Sequence, residues 1–328
     1  MKFLIAGFGS IGRRHFHNLK ELGEQDILFY RTGQGSLPAD ELSGYIVEND
    51  FNDALAHGPD AVIVANPTAF HLDVAIPAAE LGCHLLLEKP ISSSLDGVEK
   101  LQAVTKESGS QVLVGFQFRY HPGLLKAHTI LKSGDLGRPL SARAHWGEYF
   151  PDWHPWEDYR QSYGARKDLG GGVVFTLCHP FDYLRWLLGE IISVTGITRR
   201  SGALGIDVED QADIDLEFDK GFSASVHLDY LQKPASHWLE IDCSEGQMRW
   251  DAGSGLLQVW PARSREEQIY PVPSGFERND LFLTELRHFL DVINSASEPV
   301  CTLEDGVAAL KIAIAVHSSA QESRKINV

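Results

Sequence analysis

Residues 2–22, KFLIAGFGSIGRRHFHNLKEL, carry the reading that decides the fold. Lys2–Ala6 is a short apolar run that reads as a buried strand. Ile11–Leu22 repeats apolar residues at helical spacing and is closed by Gly23 in the C-cap position. Between them stands Gly7-Phe8-Gly9-Ser10-Ile11-Gly12. Gly7 suits the tight turn, Gly9 lets an anionic group approach the backbone, and Gly12 lets helix and strand pack closely. The helix start at Ser10 and Ile11 presents N–H groups that no preceding turn can satisfy. A lone GxGxxG is a weak signal. One that follows a strand and opens a helix points to a dinucleotide pyrophosphate, with a structural glycine turn as the alternative.

Outward from this stretch the alternation continues. Ile27–Arg31, Ala61–Ala65, His84–Glu88 and Val112–Phe116 read as strands, with His71–Leu81 and Leu95–Glu107 as helices between them. Strand and helix at this spacing imply a parallel sheet with crossover helices. After Pro122 the rhythm changes. A helix near Leu124–Lys132 and a strand Leu140–Glu148 lead to an aromatic loop, then to an apolar helix from Gly172 to about Leu188. Strand-like runs follow in series: Ser193–Arg199, Gln211–Phe218, Phe222–Asp229, Trp238–Cys243, Met248–Asp251 and Gly255–Trp260. Turns such as DKG and SEG between them suit antiparallel hairpins. Helices near Leu281–Asn294 and Leu303–Glu322 close the chain. The 328 residues are about two domains' worth at ~150 residues each. The expectation is an α/β protein. Residues 1–119 form a dinucleotide-binding domain on a parallel sheet, and 120–328 a substrate-binding and oligomerisation domain with a large, mostly antiparallel sheet.

Composition narrows the function. With 29 Lys+Arg against 45 Asp+Glu the net charge is −16, so there is no general pull toward nucleic acid or an anionic membrane. Cys83, Cys178, Cys243 and Cys301 stand far apart, which suits reduced, buried thiols better than a disulfide framework or a zinc site. The N-terminal apolar run is broken by glycine before a signal-peptide core forms, and no stretch approaches the ~20 apolar residues that span a bilayer. A cytoplasmic location is expected. The histidines show no metal-ligand spacing, and His15 and His17 read as surface or capping residues.

Three strand ends carry further chemistry. About 20 residues beyond the glycines, NAD-preferring sites place an acid that bonds the ribose 2′-hydroxyl. Here the positions are Tyr30-Arg31-Thr32. Arg31 suits a 2′-phosphate and Thr32 adds a hydroxyl donor, so NADP(H) is favoured over NAD(H); a solvated loop arginine is the bland alternative. Asn66 and Pro67 end the AVIVA strand and Glu88-Lys89-Pro90 ends the next, where ligands of open α/β sheets bind. A lysine there suits transfer of a hydroxyl proton, or is a surface residue in a turn.

AGFGSIGRRH, NPTAFH, EKPIS, VGFQFRYHP and GGGVVFTLCHPFDYLRWLLG occur in this order. Together they resemble the glucose–fructose oxidoreductase / inositol dehydrogenase / MocA (Gfo/Idh/MocA) family over nearly the whole chain. The resemblance implies a Rossmann domain followed by an α/β domain whose open sheet packs on another subunit, as a homodimer or homotetramer. It implies nicotinamide-dependent interconversion of a secondary hydroxyl and a ketone on a sugar or cyclitol, and the aromatic and basic residues of Tyr149–Lys167 suit a nucleotide-sugar. Lys89 matches the family's acid/base lysine, and Pro90 a proline whose preceding peptide bond is often cis. His179 matches a histidine beside the substrate, for which the residues alone favour a core role. Gln117 and Arg119 match a polar pair near the nicotinamide and substrate. Cofactor contacts are thus expected at Gly7, Gly9, Ser10, Ile11, Gly12, Arg31, Thr32, Asn66, Pro67, His71, Glu88, Lys89 and Gln117.

The chain departs from the pattern at Phe175. Many members carry an aspartate four residues before the histidine, and Thr176 or Tyr163 are the candidates to replace it. Asp182, at i+3 from His179, either orients the ring or is structural. Within the loop Tyr149–Lys167, most aromatics are expected to pack onto the second domain, with Trp156 and Tyr163 reserved for substrate alongside Lys89, Arg119, Thr176 and His179. Two rival readings follow from the departure at Phe175 and from the family: a non-catalytic dinucleotide sensor, and an NAD-dependent glycosidase.

Overall fold

The computed structural model describes residues 1–35, 40–264 and 266–328. They form two units: one of Met1–Gln117, Asp168–Gly170 and Arg278–Leu310, and one of Phe118–Lys167, Gly171–Glu277 and Lys311–Val328.

The first unit is built on β1 (Lys2–Ala6), α1 (Ser10–Glu21), β2 (Asp26–Tyr30), β3 (Ile46–Glu48), α2 (Phe51–Ala56), β4 (Ala61–Val64), α3 (His71–Glu80), β5 (His84–Leu87), α4 (Val98–Ser108) and β6 (Val112–Val114). All pairs in its sheet are parallel, in the order β3-β2-β1-β4-β5-β6. Phe3–Ala6, Ala61–Val64 and Leu85–Leu87 are wholly buried, the continuous apolar runs of a sheet covered on both faces. The order reverses direction between β1 and β4, which places a crevice at the carboxyl ends of those strands. Two elements lack a strong sequence signal. β3 is a three-residue edge strand with Ile46 and Val47 exposed, and α2 is a short helix capped by Asp50, whose carboxylate accepts from the backbone N–H groups of Asn52 and Asp53.

The second unit contains α5 (Pro122–Ser133), β7 (Pro139–Gly147), α6 (Val173–Thr176), α7 (His179–Leu188), β8 (Ile191–Arg199), β9 (Gln211–Phe218), β10 (Ser223–Asp229), β11 (Ser236–Cys243), β12 (Gly246–Asp251), β13 (Leu257–Pro261) and β14 (Gln268–Tyr270). The chain then runs through α8 (Arg278–Ile293) in the first unit and α9 (Leu303–Glu322), and ends at β15 (Ile326–Asn327). The second sheet has the order β14-β13-β12-β11-β7-β10-β9-β8-β15. It is antiparallel except at its centre, where β7 and β10 run parallel. Alternate residues face inward: Ala142, Ala144 and Trp146, then Ile214 and Leu216, then Val226 and Leu228 are buried. The opposite face carries Arg143, His145, Thr195, Ile197, Asp213, Ser225, His227 and Trp238 around a shallow hollow.

One expectation is corrected. The apolar helix read from Gly172 to Leu188 is two helices, α6 and α7, separated at Leu177-Cys178. Pro180 is the reason. It has no N–H to donate to the carbonyl of Thr176, and its ring would clash there, so it is tolerated only in a first turn. Phe175 and His179 therefore do not share a continuous helix face.

Candidate active site

At the end of β1 the backbone makes a cradle. Gly7 has φ +95°, a left-handed conformation, and a β-carbon there would lie 2.7 Å from the backbone of Ala65 and Asn66. At Gly12 a β-carbon would collide with the carbonyl oxygen of Gly7. Gly9 differs: among the described residues nothing lies within 4 Å of the place a β-carbon would take, and it precedes α1 with no side-chain cap. The N–H groups at the start of α1 are thus presented over an open glycine, with Ser10 exposed beside it. This is the shape and polarity that a pyrophosphate takes at a helix N-terminus, and the residues present fit a dinucleotide.

At the end of β2, the Arg31 guanidinium lies over the Phe8 ring, 5.6 Å from its centroid, and its backbone N–H donates to Glu48. Thr32 is exposed. At the end of β4, the Asn66 amide donates to the Phe70 carbonyl at 2.9 Å. His71 is buried and ties two strand ends together. Its Nε2 lies 2.9 Å from the Asn66 carbonyl oxygen and its Nδ1 2.9 Å from that of Pro90. Burial pushes the imidazole below its ordinary pKa, and the neutral ring donates to only one of these carbonyls. His71 thus joins the Asn66-Pro67 turn to the Lys89-Pro90 turn. The Lys89–Pro90 peptide is cis, the form the family resemblance implies. Gln117, after β6, is buried in the same unit.

Glu88 has a different surrounding from the one its place among the cofactor contacts suggests. Its Oε1 lies 2.8 Å from His15 Nε2, and its Oε2 accepts from the Lys89 backbone N–H at 3.3 Å. His15 itself is wholly buried, which corrects its reading as a surface residue. His17, on the opposite face of α1, is the exposed one of the pair and meets Glu41.

In the second unit, Arg119 is committed to Asp182. Its Nε reaches both carboxylate oxygens at 3.0 and 3.1 Å, its Nη2 lies 2.6 Å from Oδ1, and both side chains are buried. Asp182 is thereby anchored to Arg119. His179 is buried at the start of α7, with its ring 5.0 Å from Phe118 and 5.2 Å from Trp146. Thr176 lies beside the hydroxyl of buried Tyr230, which also donates to the Gly164 carbonyl at 3.4 Å. Tyr163 precedes that glycine, so Thr176 and Tyr163 gather near one group. Trp156 does not join them: it is 55% exposed and packs on His154. Most of the aromatic loop packs inward, with Phe150 stacked on Tyr230 at 4.5 Å and the Tyr159 hydroxyl donating to Leu204.

Sequence reasoning passed over Glu209. Its carboxylate accepts from the Val174 N–H at 3.2 Å, and His317 Nε2 lies 3.7 Å away. Burial pushes its pKa up to about 7. A β-carbon at Gly172, φ +107°, would collide with this carboxylate. Phe175 faces the same neighbourhood, 5.0 Å from the His317 ring. No spacing rule links residue 209 to the glycine turn, so only the fold reveals the group.

Comparison with known proteins agrees with this architecture. Residues 1–116 match the oxidoreductase family with an NAD-binding Rossmann fold, and residues 124–249 match the GFO/IDH/MocA C-terminal domain. The scyllo-inositol 2-dehydrogenase (NAD(+)) of Bacillus subtilis is 28% identical over 277 residues, 80% of this chain and 75% of that protein. A levoglucosan dehydrogenase solved with NADH and levoglucosan superposes with a TM-score of 0.87 at 20% identity, over 100% of this chain and 99% of that one. GenD2 from gentamicin A biosynthesis, solved with NAD, gives 0.84 at 24% identity, over 100% and 96%. These comparisons overturn the expected preference for NADP(H). The two solved relatives hold NADH and NAD, and the curated one is named for NAD(+). A missing acid after β2 is thus a poor guide to the phosphate here, where Arg31 already has an aromatic face to cover. Among the described residues no helix is long and apolar enough to cross a membrane. The chain belongs to the Gfo/Idh/MocA family, whose NAD(P)-dependent dehydrogenases and reductases interconvert hydroxyl and ketone groups on sugars and cyclitols.

Proposed function

We propose that the protein is an NAD(H)-dependent dehydrogenase of a secondary hydroxyl on a sugar or cyclitol, with Lys89 as acid/base. The observation that carries this reading is that Lys89 follows β5 at the carboxyl end of the sheet, the end at which the glycine cradle follows β1, in a turn fastened by His71 and Glu88. Gly7, Gly9 and the start of α1 would hold the pyrophosphate, Arg31 and Thr32 the adenosine end, and Asn66, Pro67 and Gln117 the nicotinamide end. When bound, NAD+ supplies the hydride acceptor. Lys89, as the neutral amine, takes the hydroxyl proton as the C–H bond gives up its hydride; in the reverse direction the ammonium returns that proton to the ketone oxygen. His179 is a substrate-side contact and Arg119 holds Asp182 at the start of the helix that carries it. Thr176 or Tyr163 is the candidate to replace the missing acid.

The test follows NADH absorbance with both cofactors and a panel of scyllo-inositol, myo-inositol, levoglucosan, D-xylose and a nucleotide-sugar. Turnover of a sugar or cyclitol with NAD+ supports the reading. Binding of NAD(H) with no turnover of any panel member favours a sensor, and bond cleavage with no net NADH favours a glycosidase.

A further inference from the structure

Three side chains meet at the Glu88-Lys89 turn. His15 on α1 and Glu285 on α8 are wholly buried, and Glu88 nearly so. One ligand atom from each lies within 4.8 Å of the other two. Within the cluster the partners are unequal. Glu88 faces the His15 ring at 2.8 Å and accepts the Lys89 N–H, whereas among the described residues neither oxygen of Glu285 has a hydrogen-bond partner, and nor does His15 Nδ1. Both carboxyl groups ionised at this separation, out of water, would repel strongly. The surrounding charges do not remove the conflict. Arg14, on the His15 helix, lies over the Phe282 ring and donates to Asn279; Arg278 on α8 is exposed; Lys89 is half-buried and His71 is buried and neutral. The proton belongs to Glu285, the carboxyl that no donor reaches among the described residues. Burial and the neighbouring Glu88 both raise the pKa of Glu285 in the same sense.

We propose that His15, Glu88 and Glu285 form a buried proton-holding triad, in which Glu285 carries the proton and Glu88 is held by His15 and the Lys89 N–H, so that the triad positions the Lys89 turn. The last clause rests on the reading of Lys89 as acid/base; the location of the proton does not. Gly115 fits this arrangement, because a β-carbon there would press on the Glu88 carboxyl at 3.1 Å.

Infrared spectroscopy of the full-length protein at about pH 7 tests the proton directly. The expected result is a protonated-carboxyl carbonyl-stretch band, shifted in D2O, in the difference between the native protein and Glu285→Gln, since the Glu209 carboxyl, raised to about 7, contributes equally to both. Because the folded state holds a proton that the unfolded chain releases, the folding constant of the native protein falls about tenfold more per pH unit above ~5 than that of Glu285→Gln. No difference band, or equal pH slopes, overturns the proposal. One equivalent of divalent metal in the purified protein, lost in His15→Ala, also overturns it, since a cation would neutralise the same ligands. For positioning, Glu88→Gln is expected to lower kcat about tenfold and shift its pH profile with NADH affinity unchanged, measured on the best panel sugar. An unaltered kcat and profile in Glu88→Gln, alongside a Lys89→Ala variant without turnover, overturns the positioning role alone. Full turnover by Lys89→Ala sinks the acid/base reading and leaves the infrared result standing.

Discussion

At the scale of single residues, what a side chain touches separates structural from functional roles more sharply than its type does. Gly9 and Gly12 belong to one motif, yet one faces open space and the other a carbonyl. Gly9→Ala is expected to leave stability within about 0.5 kcal/mol while NADH affinity falls at least tenfold, and Gly12→Ala is expected to lose both; urea melts and calorimetric titration read the two quantities. Arg119 makes the opposite point, since a position that the family pattern assigns to substrate is here buried on Asp182. Arg119→Met leaves that carboxylate uncompensated and should cost roughly 3–5 kcal/mol. Adding Asp182→Leu should recover much of it, and a double variant no more stable than the single would contradict the pairing. The glycine motif and the EKP turn were legible in the sequence because both are local. His15 was not, because histidine on a helix gives no sign of its burial until α8 is placed beside it, with Phe282 at 6.4 Å.

At the scale of elements, strand–helix alternation predicted the parallel sheet almost element by element, because buried parallel strands are short runs of pure apolar sequence. Three-residue β3 and the capped single turn of α2 escaped, being too short and too exposed for periodicity to register. The break between α6 and α7 was legible in principle from Pro180, and it changes the chemistry: Phe175 turns toward His317 and Glu209. The Glu209 carboxyl, ordinarily near 4.5, is raised to about 7 in the fold. Its neutral form is therefore the stabilised one, with that stabilisation complete below about 4.5 and lost as pH rises through 7. Glu209→Gln keeps an acceptor for the Val174 N–H and removes the titration. Relative to this variant, the native protein should lose up to about 3 kcal/mol between pH ~4.5 and ~8. Urea melts at several pH values check this, and parallel pH curves would contradict it.

At the scale of the whole molecule, the second sheet presents an outward face on which exposed Ile197 stands among Arg143, His145 and His227. A sheet face of this kind is the natural seat for a second copy in a symmetric assembly. Light scattering at micromolar concentration is expected to give a dimer or tetramer, and Ile197→Glu to shift it toward monomer; a monomeric native protein would refute the expectation. The alternation of Val226 and Leu228 with Ser225 and His227 announced two faces in the sequence, but which of them turns inward waits on the register of β7 against β10.

The proposed reaction moves a substrate proton through Lys89. Steady-state turnover of Lys89→Ala, on whichever sugar or cyclitol the native protein oxidises with NAD+, measures it alongside NADH affinity. A positioned acid/base contributes about 10²–10⁴-fold, so kcat should fall by that order with the NADH dissociation constant unchanged. Native turnover in the variant, with the cofactor still bound, would contradict the claim.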